Sequence, residues 1–233
     1  MRSQFAYVRP PSLVDALTFL AEHGTQTSLI AGGTDLMISV RSGDMKSAHV
    51  MDVSRLEELR SVALIEDSLF IGAAVTYSEL MADPLVAKYA PVVAMAARHV
   101  GSLQIRNVGT LGGNVAHASP AADSVPTLIA HDCRVMIQSA SGDRVEPLTD
   151  VITGPYATNL KPDELIMGFL LQPLPGARSS LHRIARRRAL SVARINATDV
   201  AYLDDNGMAK DVRLSVGSII PRPCRMADAE NHL

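Results

Sequence analysis

Ala31-Gly32-Gly33-Thr34-Asp35 and Thr110-Leu111-Gly112-Gly113-Asn114 set two glycine pairs about eighty residues apart, each behind an apolar segment and ahead of a stretch with helical character. Glycine reaches positive φ at little cost, so consecutive amides there can turn toward one point and form a concave nest for an anion. One such pair is most often an ordinary turn. Two in matching surroundings suggest a diphosphate held between two lobes, the group that a dinucleotide cofactor such as FAD presents. Thr34 and Thr110 add hydroxyl donors of the kind a buried phosphate needs to replace lost hydration, or else cap their own turns. Other chemistry is sparse. The chain has no serine–histidine–acid order, no paired-histidine metal motif and no lysine-ended phosphate loop, and Gly109 and Gly112 are too close for a Rossmann fingerprint. Hence no acid–base residue and no metal ligand is assigned. Arg186-Arg187-Arg188 reads most simply as a solvated face, with docking of a nucleotide phosphate or an acidic partner as the alternative. His117 could touch a cofactor edge or serve structure alone.

The surrounding pattern predicts the elements that place these segments. Leucine and alanine at 13, 16, 17, 20 and 21 predict an amphipathic helix over 12–23, with Ser12 as cap, Asp15 as its acid and Gly24 as stop. Residues 27–31 read as a short buried strand delivering the first glycine pair, and 49–53 as another. Apolar runs at 62–65 and 69–71 flank Glu66-Asp67-Ser68 as a hairpin. Thr76 and Glu79 form a capping box, and 84–99 reads as helix interrupted at Pro91. Gln104-Ile105-Arg106-Asn107 could brace the second nest or pack a helix onto a loop. Behind that nest Ser119-Pro120 reads as a helix start, which puts Asp123 one turn inside a helix ending near His131. Residues 134–138 and 164–171 read as strands, with a turn at Ser141-Gly142-Asp143. Alternation at 201–204 and 212–216 around Asp205-Asn206-Gly207 predicts a hairpin with a two-residue Asn-Gly turn. The fold class is α+β, in three units: 1–57, 58–175 and a tail over 176–233.

Composition limits the partners. The 233 residues carry 22 Lys and Arg against 24 Asp and Glu, net −2, which gives no general attraction to nucleic acid or to an anionic membrane. Charge is uneven, however: residues 1–175 hold 12 basic and 18 acidic side chains, whereas 176–233 hold 10 and 6. No apolar run spans a membrane and the first residues lack a signal-peptide pattern, so the expected location is cytoplasmic. Cys133 and Cys224 read as small, buried or half-buried residues. Two cysteines cannot hold an iron–sulfur cluster, which takes about four, so metal redox chemistry would have to come from a partner.

Five segments together carry a resemblance: Ala31-Gly32-Gly33-Thr34-Asp35-Leu36, Ile71-Gly72-Ala73, Gln104-Ile105-Arg106-Asn107, Thr110-Leu111-Gly112-Gly113-Asn114 and Ser119-Pro120-Ala121-Ala122-Asp123. In order and spacing the chain resembles the FAD-binding medium subunit of the xanthine dehydrogenase family of molybdenum hydroxylases. The resemblance implies a two-lobed FAD-binding domain of the PCMH type, followed by an α+β domain of the CO dehydrogenase flavoprotein type. Relatives normally continue past Glu230 with further helical structure, so that last domain is expected to be incomplete. The cofactor implied is FAD, with the molybdenum cofactor and 2Fe-2S clusters in large and small partner subunits, as a heterotrimer or its dimer. Electrons would pass from the clusters through FAD to NAD+ or another acceptor. A purine is the favoured substrate of the complex; an aldehyde, CO or aromatic-heterocycle dehydrogenase subunit, a stand-alone flavin oxidoreductase and a non-catalytic remnant are the alternatives.

By the same resemblance, Ser28-Leu29-Ile30-Ala31-Gly32-Gly33-Thr34-Asp35 wraps the FAD pyrophosphate from one lobe and Thr110-Leu111-Gly112-Gly113-Asn114 from the other. Asp123 matches an acid that bonds the ribityl hydroxyls, with Ser119 capping its helix, and Ile166 matches an apolar residue against the flavin ring. Arg183 stands where relatives usually have a lysine beside the ring. It keeps a positive charge on a bulkier, planar group, and a cation there would stabilise the anionic reduced flavin.

Overall fold

Three β-sheets organise the chain. The computed structural model describes residues 5–187 and 191–233, which leaves Arg188 of the arginine run and the first four residues outside the description. The first sheet joins β1 (Ala6–Val8), β2 (Thr27–Ile30) and β3 (His49–Asp52), all parallel, with β3 central. Parallel neighbours need crossovers, and α1 (Leu13–His23) supplies the first, capped by Ser12 Oγ on the Asp15 amide at 3.2 Å. Its buried stripe is Ala16, Leu17 and Leu20. The loop after β2 carries the first glycine pair into α2 (Leu36–Ser42), which stops at Gly43 with φ 82°.

Asp52 ends β3 opposite Ile30 and pins this sheet. Its carboxylate accepts from Tyr7 Oη, from Arg9 Nε (3.1 Å) and Nη2 (2.7 Å), and from the Ser54 amide (2.9 Å). Burial alone would push the carboxyl up, but donation from Ser54, Tyr7 and Arg9 outweighs it and brings the value down to about 2. A depressed carboxyl stabilises the fold fully above its unfolded value near ~4 and loses that contribution as pH falls toward about 2. Asp52→Asn is therefore expected to cost about 2 kcal/mol at pH 7. Urea denaturation checks this, and the two proteins should converge in stability near pH 2.

The second sheet is antiparallel, in the order β4 (Val62–Ile65), β5 (Ser68–Gly72), β10 (Leu165–Leu171), β6 (Arg134–Ser139), β7 (Gly142–Pro147). Between its strands lie α3 (Tyr77–Ala82), α4 (Pro84–Tyr89), α5 (Pro91–His99), α6 (Leu103–Arg106), α7 (Leu111–His117), α8 (Ser124–Ala130), α9 (Leu148–Val151) and the small ribbon of β8 (Ile152–Gly154) and β9 (Ala157–Thr158). The Thr76–Glu79 capping box is present, and the helical stretch over 84–99 breaks before Pro91 into α4 and α5. Among the described residues, the side-chain hydrogen bonds of 104–107 go elsewhere than the second glycine segment: Arg106 Nη1 bonds Val100 O and Gly101 O at 3.1 Å and Asn107 Oδ1 accepts from Ser78 Oγ at 2.6 Å, while Ile105 O accepts the Val108 and Gly109 amides. Strand β10 serves two cores. Leu165 packs with Ala16, Leu20 and Met51 under the first sheet, while Ile166, Phe169 and Leu171 join Leu69, Ile71 and Leu128 in the second.

Two sequence expectations change here. The helix after the second glycine pair starts at Ser124, not at Ser119, and Asp123 sits at its cap position rather than one turn inside. Pro126 explains the shift. Proline lacks an amide hydrogen and is tolerated only in the first turn, so a helix begun at 120 would have carried it in the interior. Residues 119–122 instead form a turn closed by the Ala122 amide on Ser119 O.

The third sheet, β11 (Arg178–Ala185), β12 (Ala193–Leu203), β13 (Ala209–Gly217) and β14 (Cys224–Arg225), is antiparallel and followed by α10 (Ala227–Glu230). Its β12–β13 loop is one residue longer than Asn-Gly alone predicts. The Gly207 amide closes on Asp204 O at 2.9 Å, Gly207 takes φ 78°, and the Asp204 carboxylate accepts the Asn206 and Met208 amides, holding the longer turn. Cys133 is buried and Cys224 exposed, both as free thiols. Among the described residues no helix is long and apolar enough to cross a membrane.

Candidate functional site

A cleft of about 950 Å³ runs between the first two sheets and reaches the third. Residues 28–35 line it, with Thr110, Gly112, Gly113 and Asn114, and so do Ser119, Asp123, Ile166 and Arg183. Leu111 is the exception: it is fully buried in the second core, beneath the wall its neighbours form. Gly32 holds the two glycine segments together. A Cβ there would lie 2.0 Å from Val108 O and 2.6 Å from its carbon, so only glycine lets the first loop rest on the chain that leads into the second.

The two segments offer the cleft different things. Among the described residues, the amides of Gly32, Gly33, Thr34, Asp35 and Leu36 receive no acceptor from the protein, and Gly33 takes φ 67° to turn them. Five consecutive free donors at the start of a short helix, in a loop that lines the cleft, are open to water or to an anionic ligand. In the second segment the amides are committed: Leu111 donates to Val75 O (3.1 Å), Gly112 to Ala73 O (2.8 Å) and Gly113 to Thr110 Oγ1 (3.1 Å). The symmetric pair of nests expected from the sequence is thus one open amide loop facing one closed wall. Thr110 Oγ1 caps α7 as acceptor and keeps its own hydrogen for donation. A diphosphate fits this chemistry, with the 32–36 amides and the Thr110 hydroxyl as its donors, while the Thr34 hydroxyl donates to Asp35 Oδ2 at 3.2 Å.

Charges along the cleft are mostly paired. Arg183 donates from Nε to Asp123 Oδ2 at 2.9 Å and from Nη2 to Ser191 O, with both charged side chains under 10% exposed. Asn196 Nδ2 donates to the other Asp123 oxygen at 3.0 Å. Arginine and acid therefore reach the cleft as a locked pair rather than as separate groups. Register explains the contact: Arg183 and Asn196 are partners on neighbouring strands, so both point inward toward Asp123 at the start of α8. Glu164 is held by Arg144 through two 2.8 Å bonds, which keeps its carboxyl below the usual range despite burial. His117 Nδ1 lies 3.8 Å from Asp35 Oδ1.

Sequence reading missed two contributors. Tyr77 lines the cleft and is almost fully buried, and that burial pushes its phenol far up. Leu160, Lys161, Pro162, Glu164 and Leu165 extend the wall from Ile166 back to Gly24, where a Cβ would meet Pro162 O at 2.3 Å. Their adjacency to Ile166 was the available signal.

Comparison with known proteins agrees with this geometry. The family model described as the FAD binding domain in molybdopterin dehydrogenase matches residues 3–171. A xanthine dehydrogenase FAD-binding subunit of Escherichia coli O157:H7 is 35% identical over 228 residues, 97% of this chain and 77% of that protein. The glyceraldehyde dehydrogenase medium chain of Sulfolobus acidocaldarius is 30% identical, across 99% and 81%. Among solved structures, carbon monoxide dehydrogenase from Hydrogenophaga pseudoflava superposes with a TM-score of 0.93 at 26% identity, covering 100% of this chain and 81% of that one. With its amide loop, its cleft and these relatives, the chain belongs to the FAD-binding domain family of molybdopterin dehydrogenases and is an FAD-dependent oxidoreductase subunit of the molybdenum hydroxylase type.

Proposed function

We propose that this chain is the electron-transfer subunit that takes electrons from the iron–sulfur clusters of a small partner and passes them through FAD to NAD+, in a complex whose large molybdenum subunit oxidises a purine. The single observation that carries the reading is the run of five amides without acceptors on the wall of a cleft long enough to reach all three sheets. In this reading residues 1–57 and 58–175 are the two lobes and 176–233 the third unit, with the flavin ring toward Ile166 and the Arg183–Asp123 pair. Bound FAD supplies the two-electron to one-electron exchange. The chain's residues bind and orient it: amides 32–36 and the Thr110 hydroxyl would hold the diphosphate, with the Thr34 hydroxyl beside them on Asp35, Asp123 would offer its carboxylate to the ribityl hydroxyls, and Ile166 would exclude water from the ring. The xanthine dehydrogenase relative supports the purine, and the absence of a spanning helix among the described residues is consistent with a cytoplasmic complex.

Purified protein supplied with FAD should acquire bound-flavin absorbance and co-purify, when tagged in its source, with a cysteine-rich small chain and a much larger one. The complex should reduce NAD+ with xanthine faster than with glyceraldehyde. Absence of bound flavin after FAD addition would overturn the cofactor assignment, and a faster aldehyde reaction the purine assignment.

A further inference from the structure

With the amides of Leu111, Gly112 and Gly113 consumed, and that of Asn114 on Thr110 O at 3.1 Å, the closed wall of the cleft reaches a ligand through side chains rather than backbone. Thr110 is one of them. Asn114, half-buried and lining the cleft, is a second. Its Oδ1 accepts from Ser124 Oγ at 2.6 Å, and among the described residues its Nδ2 has no acceptor. Ser124 is 1% exposed and opens α8, ten residues on. That helix start is itself fixed: Thr127 Oγ1 donates to Ser124 O at 2.6 Å, and Asp123 is held by Arg183 and Asn196.

The orientation of the Asn114 amide decides what the cleft sees. With Oδ1 toward the serine, both hydrogens of Nδ2 are left for a ligand; the reverse would present a carbonyl oxygen, which repels phosphate. Burial of the serine selects the first. Its hydroxyl hydrogen needs an acceptor, and Oδ1 supplies one. Were the amide turned over, that hydrogen would be left to the neighbouring Tyr77 phenol, whose own hydrogen, on a residue 2% exposed, would then lack an acceptor among the described residues. On the FAD reading above, we propose that Ser124 is a positioning residue for the cofactor: it holds the Asn114 amide with Nδ2 turned into the cleft, to donate to the diphosphate from the wall facing the 32–36 amides. The diphosphate is then gripped by backbone on one side and by an oriented side chain on the other.

FAD titration of the apoprotein, followed by flavin fluorescence quenching, tests this as a double-mutant cycle, with thermal unfolding to show that each apoprotein is folded. Asn114→Ala should weaken binding roughly ten- to thirty-fold, and Ser124→Ala, which frees the amide to turn, roughly three- to ten-fold. Once residue 114 is alanine, Ser124→Ala should cost a further factor of roughly two or less. A serine that served the helix alone would weaken binding equally in both backgrounds. That result, or wild-type affinity in Ser124→Ala, overturns the proposal and leaves the cofactor assignment standing. Should Ser124→Ala not fold, Ser124→Cys, close in size and a weaker donor, takes its place in the same cycle with a smaller expected loss. A wild-type protein that binds no FAD overturns both.

Discussion

Gly32→Ala is expected to abolish FAD retention while Gly113→Ala leaves it nearly intact. The added Cβ at 32 would sit 2.0, 2.6 and 2.8 Å from Val108 O, Val108 C and Gly109 Cα, all backbone atoms that no rotamer change can move. The loop over 32–36 must then lift off the chain leading into α7, at a cost of about 3 kcal/mol or more, and its five free amides lose their common aim. FAD affinity should drop on the order of 100-fold. At Gly113 the new Cβ would meet only Thr110 Oγ1, at 3.0 Å. That position is inside α7, where alanine is the better helix former by about 1 kcal/mol, so the small steric cost is offset. Flavin fluorescence quenching on titration, with thermal unfolding of both apoproteins, checks the contrast. Equal affinities would show that the first loop does not hold the diphosphate.

Arg183→Leu is expected to be the most destabilising single change at the end of the cleft that reaches the third sheet. It leaves Asp123 nearly buried with, among the described residues, Asn196 as its remaining side-chain donor, and breaking a buried pair from one side costs about 3–5 kcal/mol. Arg183→Lys should cost less, about 1–2 kcal/mol, because an ammonium cannot reach Asp123 and Ser191 O together as the planar guanidinium does. Adding Asp123→Asn to Arg183→Leu should return much of the loss, since no uncompensated charge remains. The pair also changes what the arginine does to the flavin. A free cation beside the ring would raise the reduction potential, but a cation locked to a carboxylate presents little net charge. Asp123→Asn, which releases the cation, should therefore raise the midpoint potential of bound FAD, whereas Arg183→Lys should leave it near the wild-type value. Urea denaturation and spectroelectrochemistry measure the two effects separately.

Much of this was legible in the residues, and the parts that were not have definite causes. Glycine pairs, the Ser12 and Thr76 caps, the break at Pro91 and the β4–β5 hairpin are local signals, each decided within a few residues. Ser119 misled because its cap pattern is local, while the competing constraint, Pro126, lies seven residues on. The unequal state of the two glycine segments could not be read at all. Whether an amide is free depends on the tertiary partner, and the carbonyls of Ala73 and Val75 that consume the second set arrive from a different part of the chain. Arg183 was recognised as a cation by position, yet its partner sits 60 residues away and only strand register reveals it.

Strand β10 ties the two cores together. Leu165 is anchored under one sheet while its neighbour Ile166 is anchored under the other, so swinging the lobes apart would strip a leucine from its surroundings, at about 2 kcal/mol for that side chain alone. A carrier built like a fixed socket does not capture its redox group by closing on it. Separation of the lobes therefore carries a packing cost that loosening of the loops around the slot does not, and the loops are the cheaper route in and out.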